Sequence, residues 1–180
     1  AAVAAHEHRL HNDHERFEDG TINYLDLPAI TTGLEFIERV GIDRITERVA
    51  SLSNYLCREV QALRHANGQP PVRLFGPDVR TACGGNFIFT VYGNAGHRVH
   101  FQEVEARANV RNISIRSGCF CNPGIDEVNN EIESQALAEY FITEDGEDYH
   151  DMSAQLGKMR GATRVSVGLA TSQEDIDTFV

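Results

Sequence analysis

Tryptophan is absent from this 180-residue sequence, and lysine occurs once, at Lys158, although arginine occurs 15 times. Any reaction that needs a Schiff-base lysine therefore has one candidate in this chain. The 16 lysines and arginines are outnumbered by 27 aspartates and glutamates, which gives a formal charge of −11. This charge disfavours binding to nucleic acid or to an anionic membrane, and it favours a small polar partner.

Long apolar runs are missing as well. No stretch reaches the ~20 consecutive apolar residues of a membrane span, and the N-terminal residues contain no signal-like apolar core. The four cysteines are too few and too unevenly spaced for the disulfide framework of a small secreted protein. These absences predict a soluble, unexported protein of the reducing cytoplasm, with neither a nucleic-acid nor a membrane partner.

Apolar residues make up 41% of the chain, which suits one compact domain or a large part of one. They recur at helical spacing between Ile30 and Ile42, and Gly41 marks a break before a second helical stripe from Ile45 to Leu63. A later capping box, formed by Thr171 and Glu174, is predicted to open a last helix.

Short apolar runs bounded by glycine and proline predict strands. They lie at 72–75, 86–92, 113–116 and 163–169. A helix is predicted at about 101–109, and residues 128–160 are acidic and mostly helical, with a break around Asp145 and Gly146. Long helices followed by strands that alternate with helices predict an α+β domain of two layers, in which helices cover a small sheet.

The densest functional signal is the loop from Arg116 to Gly124, with the sequence RSGCFCNPG. Two glycines and a proline can hold a thiol on an ordered but accessible tip, and a neighbouring arginine favours the nucleophilic thiolate. The alternatives are that Cys119 and Cys121 are small apolar residues in a turn, or that they bind a metal with His150. Zinc sites usually have two to four residues between paired cysteines, whereas one intervenes here, so no metal site is predicted.

Arg164 lies within the predicted strand 163–169. It is either a strand-end residue paired with a surface acid or an anion clamp, since the planar guanidinium suits a carboxylate. Thr21 is an ordinary turn residue on these grounds alone. A histidine-rich N-terminal tract is best interpreted as a solvated surface segment, because only His11 and His14 of its four members are helical neighbours. The tract consists of His6, His8, His11 and His14.

Four blocks, in this order, resemble one family: RFEDGT at 16–21, VRLFGP at 72–77, IRSGCFCNPG at 115–124 and TRVSVG at 163–168. They are similar to the C-terminal part of class V aminotransferase-fold enzymes that depend on pyridoxal phosphate, and within these to the cysteine desulfurases, including the desulfurase domain of molybdenum cofactor sulfurases. The resemblance implies a small C-terminal α+β domain of a fold-type I enzyme at 26–180. Residues 1–25 would then link it to a large cofactor domain outside this chain.

The resemblance also implies roles for single residues. Cys121, five residues after Arg116, falls where the family has its persulfide-forming cysteine. Arg164 falls where a family arginine binds the α-carboxylate of the amino-acid substrate, and Arg116 matches an arginine at the active-site mouth. Thr21 matches a threonine that, in family dimers, reaches the cofactor phosphate of the partner subunit.

The function implied is that of a cysteine desulfurase-like sulfurtransferase, a homodimer that takes sulfur from L-cysteine and passes it to an acceptor such as the molybdenum cofactor. In the family the lysine that binds pyridoxal phosphate lies upstream of RFEDGT. Lys158 instead lies in an insert at about 126–161, so this chain alone is expected to be inactive. The alternatives are another class V enzyme, such as an epimerase or lyase, and a non-enzymatic thiol- or metal-binding module.

Overall fold

A computed structural model describes residues 2–3, 8–18, 20–76, 83–122, 124–143, 154 and 157–180. The chain divides into two compact units, Ala1–Arg44 and Ile45–Val180. The first contains the antiparallel strands β1 (Ala2–Val3) and β2 (His8–Arg9), a 3-10 turn at His14–Phe17 and helix α1 (Leu27–Val40). The domain division predicted at residues 25 and 26 stays a prediction.

Helix α1 is bounded by two residues that act through their backbones. Pro28 lies in its first turn, where the missing N–H costs no helical hydrogen bond. Gly41 follows its last residue with a φ of 92°, and its N–H donates to the carbonyl of Ile37 at 2.9 Å. The predicted break at Gly41 is therefore confirmed. No side chain of α1 is buried.

The second unit is built on a four-stranded antiparallel sheet in the order β3-β4-β6-β5. Its strands are β3 (Val72–Phe75), β4 (Asn86–Val91), β5 (Arg116–Gly118) and β6 (Ala162–Ser166). The remaining helices are α2 (Ile42–Ala62), α3 (Phe101–Val110), α4 (Ser134–Thr143) and α5 (Gln173–Phe179). This mixture of helices and one small sheet confirms the predicted α+β class.

The core lies between the sheet and the stripe predicted on α2. Leu52, Leu56 and Val60 from that stripe are buried against Phe87 of β4. Val167, just after β6, and Ile176 of α5 belong to the same cluster. Burial of a side chain of this size contributes about 1.5 to 3 kcal/mol, so the α2 stripe anchors the helix to the sheet.

Two predicted features are displaced along the chain. The strand predicted at 113–116 is observed at Arg116–Gly118, because the N–H of Ile113 donates to the Ala108 carbonyl at the end of α3 and is not available to the sheet. The capping box predicted for Thr171 and Glu174 was wrong by one residue. Ser172 and Asp175 form it, while the Thr171 hydroxyl accepts a hydrogen bond from the Gly168 N–H.

The insert contains a π-helical turn at Ile125–Asn129 and helix α4. Ile132, Leu137 and Tyr140 form a small apolar cluster of their own. The helix break predicted around Asp145 and Gly146 lies outside the described residues. Among the described residues, no helix has the length and hydropathy needed to cross a bilayer.

The capping box gives a stability prediction. Replacing Ser172 with alanine removes the acceptor for the Asp175 N–H, so the free energy of unfolding should fall by about 1 kcal/mol in urea denaturation. Glu174→Ala is the matched control, since a surface change away from such a bond stays within about 0.5 kcal/mol. Equal losses in both variants would contradict the observed cap.

The same cap predicts a pH dependence. The hydrogen bond from the Ser172 backbone N–H to the Asp175 carboxylate lowers the pKa of Asp175. A lowered pKa means that the stabilisation is complete above the usual aspartate range and is lost as pH falls through the lowered value. Asp175→Asn should therefore reduce stability at neutral pH and make little difference in strong acid, as measured by urea unfolding at both.

Candidate active site

The antiparallel register places one row of side chains across all four strands. Phe75 pairs with Ile88, Ile88 with Arg164, and Arg164 with Arg116. Directly paired residues lie on the same face of a sheet. Phe87 and Val165, which neighbour this row along their strands, belong to the core on the opposite face. Two predicted site residues, Arg116 and Arg164, are thus adjacent on the face that points away from the core.

Arg164 lies in the middle of β6, and its side chain is partly buried. Its Nε is buried and has no hydrogen-bond partner among the residues that the structure describes. A buried donor without an acceptor costs about 1 to 3 kcal/mol, and more when the group is charged. Of the two interpretations that the sequence left open, this position favours the anion clamp over a strand-end arginine paired with an acid.

The two thiols lie in a tight turn. The Asn122 N–H donates to the Cys119 carbonyl at 2.9 Å, and Phe120 and Cys121 between them both have a φ of 55°. Two successive left-handed residues closed by such a bond have the form of a type I′ turn, which glycine and asparagine usually occupy. Cys121 is exposed and Cys119 is partly buried. The turn therefore presents Cys121 to the exterior.

Phe120 joins this turn to the two arginines. The guanidinium carbon of Arg164 lies 5.2 Å from the centre of its ring, and that of Arg116 lies 5.8 Å away. An arginine within about 6 Å of an aromatic face is attracted to it. Sequence reasoning did not identify Phe120, because its contacts depend on the sheet register and not on the local motif.

A cleft of about 660 Å³ opens beside Arg164. Phe75, Ile88 and Arg164 of the sheet line it, together with residues of the thiol turn and of the segment after it. Those residues are Phe120, Asn122, Gly124, Ile125, Val128 and Asn129, and neither Cys119 nor Cys121 is among them. A cleft with apolar walls and one convergent charge is the usual form of a small-molecule site.

A second cavity, of about 430 Å³, lies among core residues such as Leu56 and Phe89. Its arginines include Arg107, which forms an ion pair with Glu103 at 2.7 Å. No cysteine lines either cavity, but Phe120 and Asn122 of the thiol turn line the cleft beside Arg164 and not the second cavity. The cleft beside Arg164 is therefore the candidate active site, because it combines a buried arginine Nε that has no hydrogen-bond partner among the described residues with a neighbouring thiol turn.

The other predicted site residues lie elsewhere. Thr21 is exposed within the unit Ala1–Arg44. Lys158 is exposed, and its Nζ donates to the carbonyl of Glu131. His11 is exposed, with ligand atoms of Asp13 and Glu15 nearby, in a group whose atoms lie within 4.8 Å of one another. His6 and His150 lie outside the described residues.

The sheet, its covering helices and the arginine-thiol cleft define a small domain of the class V aminotransferase type. The family model for aminotransferase class V matches residues 1–179, and the chain belongs to this family. It is 35% identical to molybdenum cofactor sulfurase of Drosophila mojavensis over 97% of this chain, and 31% identical to that of Bos taurus over 92%. These matches cover 23% and 19% of the relatives, so the chain spans about a quarter or less of their length.

The fold is also that of a solved cysteine desulfurase. The apo enzyme from Thermococcus onnurineus NA1 matches 99% of this chain with a TM-score of 0.56 and 23% sequence identity. The match covers 35% of that enzyme. The predicted assignment to the small domain of a fold-type I enzyme therefore agrees with an independent structural comparison.

The burial of the cysteines predicts their order of reaction. Cys121 is exposed, Cys119 is partly buried and Cys57 is buried in the core. In the folded chain, iodoacetamide should modify Cys121 first and leave Cys57 unmodified, because buried thiols are inert. Peptide mass spectrometry at timed intervals measures each site. Modification of Cys57 before Cys121 would contradict the turn geometry.

Proposed function

We propose that this chain provides the sulfur-accepting thiol and the carboxylate clamp of a pyridoxal-phosphate-dependent cysteine desulfurase. The observation that carries this proposal is the cleft lined by Arg164 and by Phe120 of the turn that bears Cys121, where the Arg164 Nε has no hydrogen-bond partner within the described part of the chain. Membership of class V and the similarity to sulfurases and a desulfurase support it.

Arg164 would bind the α-carboxylate of L-cysteine. Its Nε lacks an acceptor among the described residues, and a carboxylate can accept two parallel hydrogen bonds from a guanidinium. Arg116, opposite Arg164 on the neighbouring strand, is more exposed and would add positive charge at the mouth of the cleft. Orientation of this kind lowers the barrier by holding the reacting atoms close together.

Cys121 would then accept the sulfur. Its thiolate attacks the substrate sulfur, and a sulfur–sulfur bond forms as the substrate carbon–sulfur bond breaks. The electron pair of the broken bond stays with carbon, which takes up a proton to give alanine, and Cys121 holds the persulfide. The exposed position of Cys121 suits this role, because a second molecule must later reach the transferred sulfur. A reducing cytoplasm, the location we propose for this chain, would keep such a thiol available.

Pyridoxal phosphate, when bound, supplies the electron sink that makes the substrate bond breakable. The residues of this chain fit only part of its requirements. Lys158, the sole lysine, is exposed and donates to the Glu131 carbonyl, and it does not line the cleft. We therefore assign the cofactor's lysine to a region outside this chain, and we expect the chain alone to be inactive.

Thr21 and the sulfur acceptor complete the proposal. In a homodimer the exposed Thr21 hydroxyl would donate to the cofactor phosphate of the partner subunit. The persulfide would pass to a small acceptor, for which the similarity to molybdenum cofactor sulfurases indicates the molybdenum cofactor. We do not assign either cysteine of the thiol turn as a metal ligand.

The position of the persulfide tests the thiol assignment. In the protein that also carries the cofactor-binding domain, incubation with L-cysteine should place the extra sulfur on Cys121. Alkylation followed by peptide mass spectrometry locates it. Cys121→Ser should abolish alanine release, whereas the matched variant Cys119→Ser should retain it. Full activity in Cys121→Ser would favour a class V reaction that needs no persulfide, such as an epimerase or lyase.

The clamp is tested by Arg164→Lys in the same protein. Lysine keeps the charge but not the planar pair of donors. Because a hydrogen bond to a charged group contributes about 1.5 to 3 kcal/mol, kcat/KM for alanine release should fall about tenfold to hundredfold. Arg116→Lys is the matched control and should cost less. An unchanged kcat/KM with a large fall in melting temperature would assign Arg164 to structure instead.

A further inference from the structure

The carboxylate of Asp126 is the most enclosed charged group in the cleft region. It is fully buried and accepts hydrogen bonds from the Nε of Arg160 at 2.6 Å, the N–H of Gly161 at 2.6 Å and the side-chain amide of Asn130 at 3.0 Å. Arg160 is itself buried. An ion pair in this position is stable only when further hydrogen bonds surround it, and here three donors converge on one carboxylate.

These contacts connect two distant segments of the chain. Asp126 belongs to the π-helical turn that follows the thiol turn, whereas Arg160 and Gly161 directly precede β6. Asn130 strengthens the connection, because its amide also donates to the Gly161 carbonyl at 3.0 Å, and its oxygen accepts from Arg98 at 2.8 Å. The ends of the insert are thus held together at one buried point.

The chain is closely packed at the beginning of β6. Gly161 has a φ of 68°, and an added Cβ would lie 2.9 Å from the Phe101 ring and 3.1 Å from the backbone of Gly118. Gly118 is the last residue of β5, which carries Arg116. The partner of Asp126 is therefore fixed to the same two strands that carry both arginines.

The π-helical turn has two faces with different roles. Asp126 points inward to Arg160, while Ile125, Val128 and Asn129 line the same cleft as Arg164. Movement of Asp126 would therefore shift this wall of the cleft and the thiol turn that precedes it, relative to Arg164.

We propose that Asp126, through its bonds to Arg160 and Gly161, is a positioning residue that sets the placement of the Cys121 turn and the Ile125–Asn129 wall relative to Arg164 and Arg116. The inference rests on the proposed function only because that function assigns the reacting thiol to Cys121 and the carboxylate clamp to Arg164. Neither Asp126 nor Arg160 belongs to the lining of the cleft, so both act through the segments that they join.

Site-specific alkylation of Cys121 in this chain tests the proposal without desulfurase activity. Iodoacetate is anionic and iodoacetamide is neutral, so the ratio of their rates reports the electrostatic potential at Cys121, which the two arginines raise when the thiol lies near them. At low salt, the ratio of the iodoacetate rate to the iodoacetamide rate should be about fivefold higher at Cys121 than for a small free thiol. This preference for iodoacetate should decrease with added salt. Arg164→Met should reduce it, which calibrates the probe.

The decisive variant is Asp126→Leu with Arg160→Met, which removes both charges together. Apolar replacement of a whole buried ion pair is often neutral for stability, so this variant should melt near the parent temperature. Its iodoacetate preference should nevertheless fall to the Arg164→Met level. Retention of the full preference in the folded double variant would overturn the positioning role, and so would a parent chain with no preference.

If the double variant does not fold, Asp126→Asn takes its place, with Val60→Ala as a control that destabilises the core on the other face of the sheet. The preference should be lost in Asp126→Asn and kept in Val60→Ala when both are folded; equal behaviour would overturn the proposal. These outcomes are separate from the proposed function, because a chain that keeps the expected preference while Cys121 forms no persulfide would contradict only the desulfurase.

Discussion

The alternation of side chains along β6 is the constraint on which the candidate site depends. Thr163 is buried and Val165 packs on the main apolar cluster, so Arg164 between them must lie on the opposite face. The same pleat sets Ile88 and Arg116 beside it, because β4 and β5 pair with β6 at that residue. The hydrophobic core that stabilises one face of the sheet thereby positions the charge on the other.

This arrangement has an electrostatic cost that is consistent with the proposed carboxylate clamp. Arg116 and Arg164 are directly opposite each other on adjacent strands, where like charges destabilise a sheet. Neither forms an ion pair within the described part of the chain, and the face of Phe120 offsets the repulsion only in part. An anionic ligand would relieve the remainder. The proposed clamp thus places two like charges where a carboxylate would pair with them.

Predictions from the sequence were correct where the interactions of neighbouring residues determine the local structure. The strand at Val72–Phe75 follows from its bounding prolines and glycine, and the α2 stripe follows from its spacing. The start of β5 and the last capping box lie later in the chain than predicted. In both cases a hydrogen bond with a neighbouring backbone group occupies a group that the predicted structure would have used. Phe120 and Asp126 were not identified, since their partners come from strand register and from a residue 34 positions away.

The thiol turn depends both on its own backbone conformation and on contacts with distant residues of the sheet. Left-handed backbone at a residue with a side chain costs about 1 to 2 kcal/mol, and both Phe120 and Cys121 adopt it. The contacts that offset this cost do not include the Cys121 side chain: the Phe120 ring lies against the two arginines, and the Asn122 N–H donates to the Cys119 carbonyl. Cys121 shares the strain but is exposed to the exterior. Because the conformation is stabilised by other residues, its sulfur can react without first breaking the interactions that hold the turn.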